Sequence, residues 1–266
     1  MIMTSHIRID EVERIARRRR LDQAFVANEA NIRALTGITC DNAILVSRLA
    51  SHVLYTDFRY IPMVHRVAPT LKCRDLKRFG VEKRSPDRFN RIGYESTVSH
   101  AKFLSWQKKF PRATFVDISK DLAAIRAVKT PEEIAALRAA EKLNCEIWEM
   151  ARGKFKAGMT ERQMARIIRK QMIEKGEGEA FATIVCVGKN AAECHHEPDD
   201  TVWNGREPVL VDMGVKLNGV CSDLTRNLLP SSSVSRLPSL YRKVYSLVLE
   251  ANLAAIAAAK PGMTGK

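Results

Sequence analysis

Asn218-Gly219 lies between two runs of largely alternating apolar residues, 207–215 (EPVLVDMGV) and 220–228 (VCSDLTRNL). Asn and Gly accept the positive φ that a two-residue type I′ turn demands, so this stretch predicts a β-hairpin. Each strand carries one acidic residue, Asp212 and Asp223. Three registers are open. A two-residue loop pairs Leu217 with Val220 and Asp212 with Thr225, which leaves Asp223 on the same face as Asp212. A four-residue loop, 216–219, sets Asp212 directly opposite Asp223. A three-residue loop puts them on opposite faces. The first two registers bring the carboxylates within about 5–8 Å of each other.

Two carboxylates on one face of an apolar hairpin repel and call for a cation. Arg226 is near in sequence but points the other way by alternation. A metal ion is the natural partner; hard carboxylate oxygens suit manganese or magnesium, with zinc or cobalt as alternatives. The plainer alternative is an Asp that ends a strand and caps a turn. Ahead of the hairpin, 181–187 (FATIVCV) reads as a strand. It leads into a polar loop, 188–201, that holds His195-His196. A His at the rim of a metal cleft can ligate, donate to a substrate carbonyl or stabilise a tetrahedral intermediate; a solvated loop His is the alternative.

Upstream, Thr130-Pro131-Glu132-Glu133 and Thr160-Glu161-Arg162-Gln163 are capping signatures. They predict helices from 131 to about 151 and from 161 to Gly176. A last helix spans about 238–260, after the polar break Ser231-Ser232-Ser233 and before Pro261-Gly262. Residues 6–20 read as a basic helix. The runs 21–28 and 42–56 read as strand-like, with Thr36-Gly37 as a break between them. Further strands fit 91–95 and 114–117, with a helix over 98–109 between them. This alternation predicts a small α/β domain over 1–125, with 126–266 as a second domain.

Composition bounds the function. At 266 residues and 45% hydrophobic, the chain can build a sizeable core, so a disordered tail or a disulfide miniprotein is excluded. The net charge of +14 is uneven: residues 1–126 carry 24 basic and 13 acidic side chains. The run Arg17-Arg18-Arg19-Arg20 reads as a solvated helix end rather than a phosphate site. No helix-turn-helix, zinc-finger or RNA-binding signature accompanies it, and 6% aromatics is sparse for base stacking, so no nucleic-acid partner is expected. Six cysteines without a C-x-x-C pair suit reduced thiols in a cytoplasmic protein. The N-terminus lacks an apolar signal core, and Leu247–Ala259, interrupted by Glu250 and Asn252, is too short for a bilayer.

These residues, in this order, resemble the Xaa-Pro aminopeptidases and prolidases, the pita-bread metallopeptidases. The matching features are Gly188 with Asn190-Ala191-Ala192, and Cys194-His195 where the family has Pro-His. Val211-Asp212-Met213-Gly214 and Ser222-Asp223-Leu224-Thr225-Arg226 follow. The first half is similar to the creatinase/prolidase N-terminal domain at Asn31–Gly37, Tyr55–Tyr60, Ile92–Glu95 and Arg126–Ile134. The resemblance implies an α/β N-terminal domain followed by an α+β pita-bread domain, the latter incomplete at its C-terminus.

It further implies hydrolysis of the bond before proline in a proline-containing peptide, at two divalent metal ions, manganese first and cobalt or zinc next. Asp212 and Asp223 match two of five metal ligands. His195 matches the substrate-side His, a catalytic rather than ligating group. The family's later ligands, a His and two Glu, have no counterpart before Lys266. The alternative is therefore a catalytically inactive truncated relative acting as a binding or oligomerisation module, with an uncovered apolar face. A creatinase-like hydrolase shares the fold without the metal. A homodimer is expected from the resemblance alone. Cys221 shares the parity of Asp223, although a small buried apolar residue is its simpler reading.

Overall fold

The computed structural model of the chain describes residues 8–80, 91–229 and 238–265. The polar break at Ser231-Ser232-Ser233 and the start of the helix expected from residue 6 lie outside the described residues. The chain divides into two compact units, Met1–Glu133 and Ile134–Lys266, so the first turn of the helix at Pro131 goes with the first unit.

In the first unit the elements run α1 (Asp10–Arg19), β1 (Gln23–Val26), α2 (Glu29–Thr36), β2 (Ala43–Arg48), β3 (Ser51–Thr56), α3 (Ile61–Val67) and β4 (Lys72–Asp75). After residues 81–90 come β5 (Arg91–Tyr94), α4 (His100–Lys109), β6 (Thr114–Asp117) and α5 (Ser119–Ala127). The six strands form one mixed sheet in the order β4-β3-β2-β1-β5-β6. Its two faces bury different cores. Ala24 and Val26 of β1, with Ala43 and Leu45 of β2, join an aliphatic cluster with Val12, Ile32 and Leu122. Phe25, Ile44 and Val46 turn to the other face and an aromatic cluster. There Phe25 stands edge-on to Phe79 and Trp106, with centroids 5.2 and 5.3 Å away. Burial on both faces explains why these strands read as unbroken apolar runs.

Three features differ from the sequence expectation. The run 42–56 is two strands, not one: Ala50, at φ 56°, turns the chain back, and its N–H donates to Glu13 Oε1 at 2.8 Å. The stretch ahead of the Thr36-Gly37 break is the helix α2, capped by Asn28, whose side chain accepts from the N–H of Ala30 and Asn31, and Gly37, at φ 73°, ends it at the expected break. Residues 119–127 form α5, a helix not expected from the sequence. The arginine run sits as expected at the C-terminal end of α1, where Arg18 and Arg19 pair with Asp121 at 2.7 and 3.0 Å.

The second unit holds α6 (Pro131–Arg152) beyond its first turn, α7 (Glu161–Lys175), β7 (Ile184–Val187), β8 (Val209–Met213), β9 (Lys216–Leu217), β10 (Val220–Cys221), β11 (Leu224–Leu228) and α8 (Ser239–Ala258). Both capping boxes form. Thr130 and Glu133 exchange hydrogen bonds at the start of α6, as do Thr160 and Gln163 at the start of α7. The antiparallel sheet β11-β8-β7 packs one face on these helices. Val209, Val211 and Met213 of β8 are buried among Ile147, Trp148, Met164 and Ile168, while Leu210 and Asp212 face away. In α8 no described side chain is buried, and Leu240, Val244, Leu247, Val248, Leu253 and Ile256 are exposed.

Candidate functional site

The hairpin decides the site. Leu217 pairs with Val220, Lys216 with Cys221, Met213 with Leu224 and Asp212 with Thr225, which is the register of the two-residue loop. Asn218 and Gly219 both have positive φ, 50° and 68°. Thr225 Oγ1 donates to Asp212 Oδ1 at 2.9 Å. Asp223 lies in the break between β10 and β11, two residues before Thr225, and lines the same cavity as Asp212. Where the ladder passes between them, Gly214 is packed so closely that a Cβ there would meet the Ser222 carbonyl and the Phe181 ring.

Asp212, Asp223 and His195 line one cavity of about 840 Å³, contained within the second unit. Asp212 is half-buried; Asp223 and His195 are exposed. Among the described residues, no cationic side chain forms an ion pair with either Asp. A hard-oxygen pair with no counter-charge suits a divalent cation, so these donors fit the ligand type that the sequence implies. Cys194 also lines the cavity and is exposed. Cys221 is exposed rather than buried, because β10 belongs to the projecting end of the hairpin and not to the packed sheet.

The residues that hold the His195 loop were not visible in the sequence. Glu161, the first residue of α7, is fully buried. Its Oε1 accepts from the Val187 N–H at 2.6 Å and Asn190 Nδ2 at 2.9 Å. Its Oε2 meets His196 Nε2 at 2.6 Å and accepts from the Asp199 N–H at 3.1 Å. One carboxylate thus ties together the end of β7, the middle of the loop and its exit. Both His195 and His196 line the cavity, but His196 is buried against Glu161 while His195 is exposed, so the pair divides into an anchor and a presented group. The hydrogen bond that the His196 ring donates to Glu161 raises the His196 pKa above its ordinary value, against the opposing effect of burial.

Glu161, His196 and Asp199 also bring three potential ligand atoms within 4.8 Å of one another. Both Glu161 oxygens are already occupied, and Asp199 Oδ1 accepts from the Thr201 N–H at 2.7 Å. This arrangement is a saturated hydrogen-bond hub, unlike the uncompensated pair Asp212 and Asp223. The signal that could have revealed it is the Thr160-Glu161 start of α7, which reads as an ordinary first-turn acid but turns inward. The cavity is also lined by Arg162, Arg166 and Arg169, one face of α7 at helical spacing.

Comparison with known proteins agrees with this architecture. Residues 8–128 match the creatinase/prolidase N-terminal domain, and residues 135–266 match metallopeptidase family M24. The chain belongs to the Xaa-Pro aminopeptidase and prolidase family: a creatinase-type N-terminal domain joined to a pita-bread metallopeptidase domain. It is 34% identical over 189 residues to an Xaa-Pro dipeptidase of Lactobacillus helveticus, a match covering 70% of this chain and 50% of that protein. An uncharacterized peptidase of Bacillus subtilis is 24% identical over 264 residues, covering 92% and 70%. Among solved structures, an X-Pro aminopeptidase of Thermotoga maritima superposes with a TM-score of 0.85 at 26% identity, covering 96% of this chain and 74% of that one. An Xaa-Pro dipeptidase from Bacillus anthracis shares the fold, with a TM-score of 0.87. The chain spans half the length of the Lactobacillus relative. No described helix is long and apolar enough to cross a membrane.

Proposed function

We propose that the second unit carries part of the active site of a metal-dependent Xaa-Pro peptidase that hydrolyses the bond preceding proline. The observation that carries this reading is that Asp212 and Asp223 of the hairpin line one cavity with His195. The two Asp side chains would hold divalent cations, manganese in the first instance, with cobalt or zinc as substitutes. When bound, such ions polarise a peptide carbonyl and acidify a water. Thr225 fixes one Asp212 oxygen and leaves the other free to ligate. His195, exposed at the rim, donates to the carbonyl oxygen as negative charge develops there. Glu161 and His196 hold the loop so that His195 keeps this position. Free thiols at all six cysteines support a cytoplasmic setting, and a homodimer forms part of the same reading.

The test joins metal uptake to turnover. The chain is dialysed against manganese, and bound metal is measured alongside hydrolysis of Ala-Pro and Ala-Pro-Pro. Metal uptake lost in Asp212→Ala and in Asp223→Ala, with turnover lost in parallel and in His195→Ala alone with metal retained, is the expected pattern. Metal uptake unchanged in both Asp variants overturns the assignment.

A further inference from the structure

The two carboxylates of the hairpin are held in different ways. Asp212 lies inside the ladder of β8 and β11, opposite Thr225. Asp223 lies where that ladder is interrupted: pairing stops at Met213 and Leu224 and resumes at Lys216 and Cys221. In the gap Ser222 joins the two strands. Its N–H donates to the Val215 carbonyl at 3.1 Å, and its hydroxyl accepts from the Val215 N–H at 3.0 Å. Among the described residues β11, which Asp223 precedes, is an edge strand, and the helix α6 supplies the contact there instead. The Asp223 N–H donates to Glu141 Oε2 at 3.3 Å. One turn along α6, Asn144 Nδ2 donates at 3.1 Å to the carbonyl of Met213, the residue after Asp212. Asn144 is fully buried and its Oδ1 has no partner among the described residues, so the bond to Met213 is what offsets its burial. One face of α6 therefore grips the backbone beside each carboxylate.

We infer that Glu141 is a positioning residue for the carboxylate pair: through the Asp223 N–H it holds Asp223 at the separation from Asp212 that a divalent cation requires. This inference rests on the metal-dependent reading above. Glu141 is not among the described residues that line the cavity, so it acts through Asp223 and not on a cation directly. Ligand oxygens sit about 2.0–2.6 Å from a hard divalent cation, which leaves little room for a backbone that shifts. Asp212 meets this demand through the strand pairing on either side of it. Asp223 has no such pairing, and a carboxylate accepting from its N–H makes a charge-assisted hydrogen bond, the stronger kind. Loss of a partner that orients a metal ligand lowers metal affinity by about ten- to a hundredfold. Glu141 is half-buried and its bond is 3.3 Å, so the lower end of that range applies.

Calorimetric titration with manganese chloride of the parent chain, Glu141→Ala and Glu141→Gln tests this, with the metal-free melting temperature of each measured alongside. Glu141→Ala should bind manganese about tenfold more weakly than the parent. Glu141→Gln keeps a carbonyl acceptor and should retain most of the affinity. The metal-free melting temperatures should stay alike, since both replacements suit a helix. Cobalt reads the geometry itself: the visible absorption of cobalt-loaded Glu141→Ala should differ from that of the parent, and Glu141→Gln should match the parent. Parent-like manganese affinity in Glu141→Ala overturns the positioning role and leaves the metal reading in place. An equal loss in both variants also overturns it, because the cation would then be sensing the Glu141 charge and not the hydrogen bond. A loss matched by a fall in metal-free melting temperature overturns it in favour of a role in stability alone. No manganese uptake by the parent overturns this assignment and the metal reading together.

Discussion

Among the described residues, each unit of the molecule buries one glutamate and satisfies it, to different ends. In the first unit Glu95, at the end of β5, accepts from the N–H of Ala27 and Asn28 and from Asn31 Nδ2. These contacts fasten the end of β1 and the start of α2 to the neighbouring strand, and Arg126 closes over the far side of Asn31 at 3.4 Å. In the second unit Glu161 accepts from two backbone N–H groups and from Asn190, and it meets His196. The device is the same, a buried carboxylate paid for by converging donors. What differs is its cargo. Glu95 fixes secondary structure of the first unit, whereas Glu161 fixes the loop that lines the cavity of the second. A buried polar network is therefore informative about function only through what it holds in place.

Removing each carboxylate should separate the two roles. Glu161→Ala leaves two backbone N–H groups, Asn190 and His196 without their acceptor. It should destabilise the second unit by about 3–5 kcal/mol in urea titrations and abolish peptide binding at subdenaturing temperature. Glu95→Ala should cost about 3 kcal/mol in the first unit, with peptide affinity unchanged where the chain remains folded. A loss of affinity there as large as in Glu161→Ala would erase the contrast.

The His196 contact sharpens it further through pH. The folded-state pKa of His196 lies above its usual value, so the stabilisation from its charged form is complete below the unfolded value of about 6.5 and fades as pH rises through the raised value. His196→Asn should therefore lower the melting temperature most near pH 6 and progressively less towards pH 9; a constant decrement across that range would contradict the ionic contribution. Asp121→Asn, which removes the exposed pairs with Arg18 and Arg19, should change stability by less than about 1 kcal/mol at any of these pH values.

Much of this was legible in the sequence because it is local. The turn at Asn218-Gly219 depends on two residues able to adopt positive φ, and the capping boxes depend on side chains three residues apart. These signals located α6, α7 and the hairpin, and they narrowed the relation of Asp212 to Asp223 to a few registers. The helix α2 was obscured because its start is set by Asn28 as a cap, and the sharp turn at Ala50 carries no Gly or Pro to announce it. His195 and His196 are indistinguishable as letters. Their different roles depend on a glutamate 35 positions from His196 in sequence.

The sequence by itself determined the family pattern, the order of elements and the presence of two carboxylates on the hairpin, since period and turn chemistry act over a few residues. Only the tertiary structure decided which register the hairpin takes, which His is presented and which side chain of α6 meets the Asp223 N–H. Those outcomes turn on burial and on pairing between residues distant along the chain.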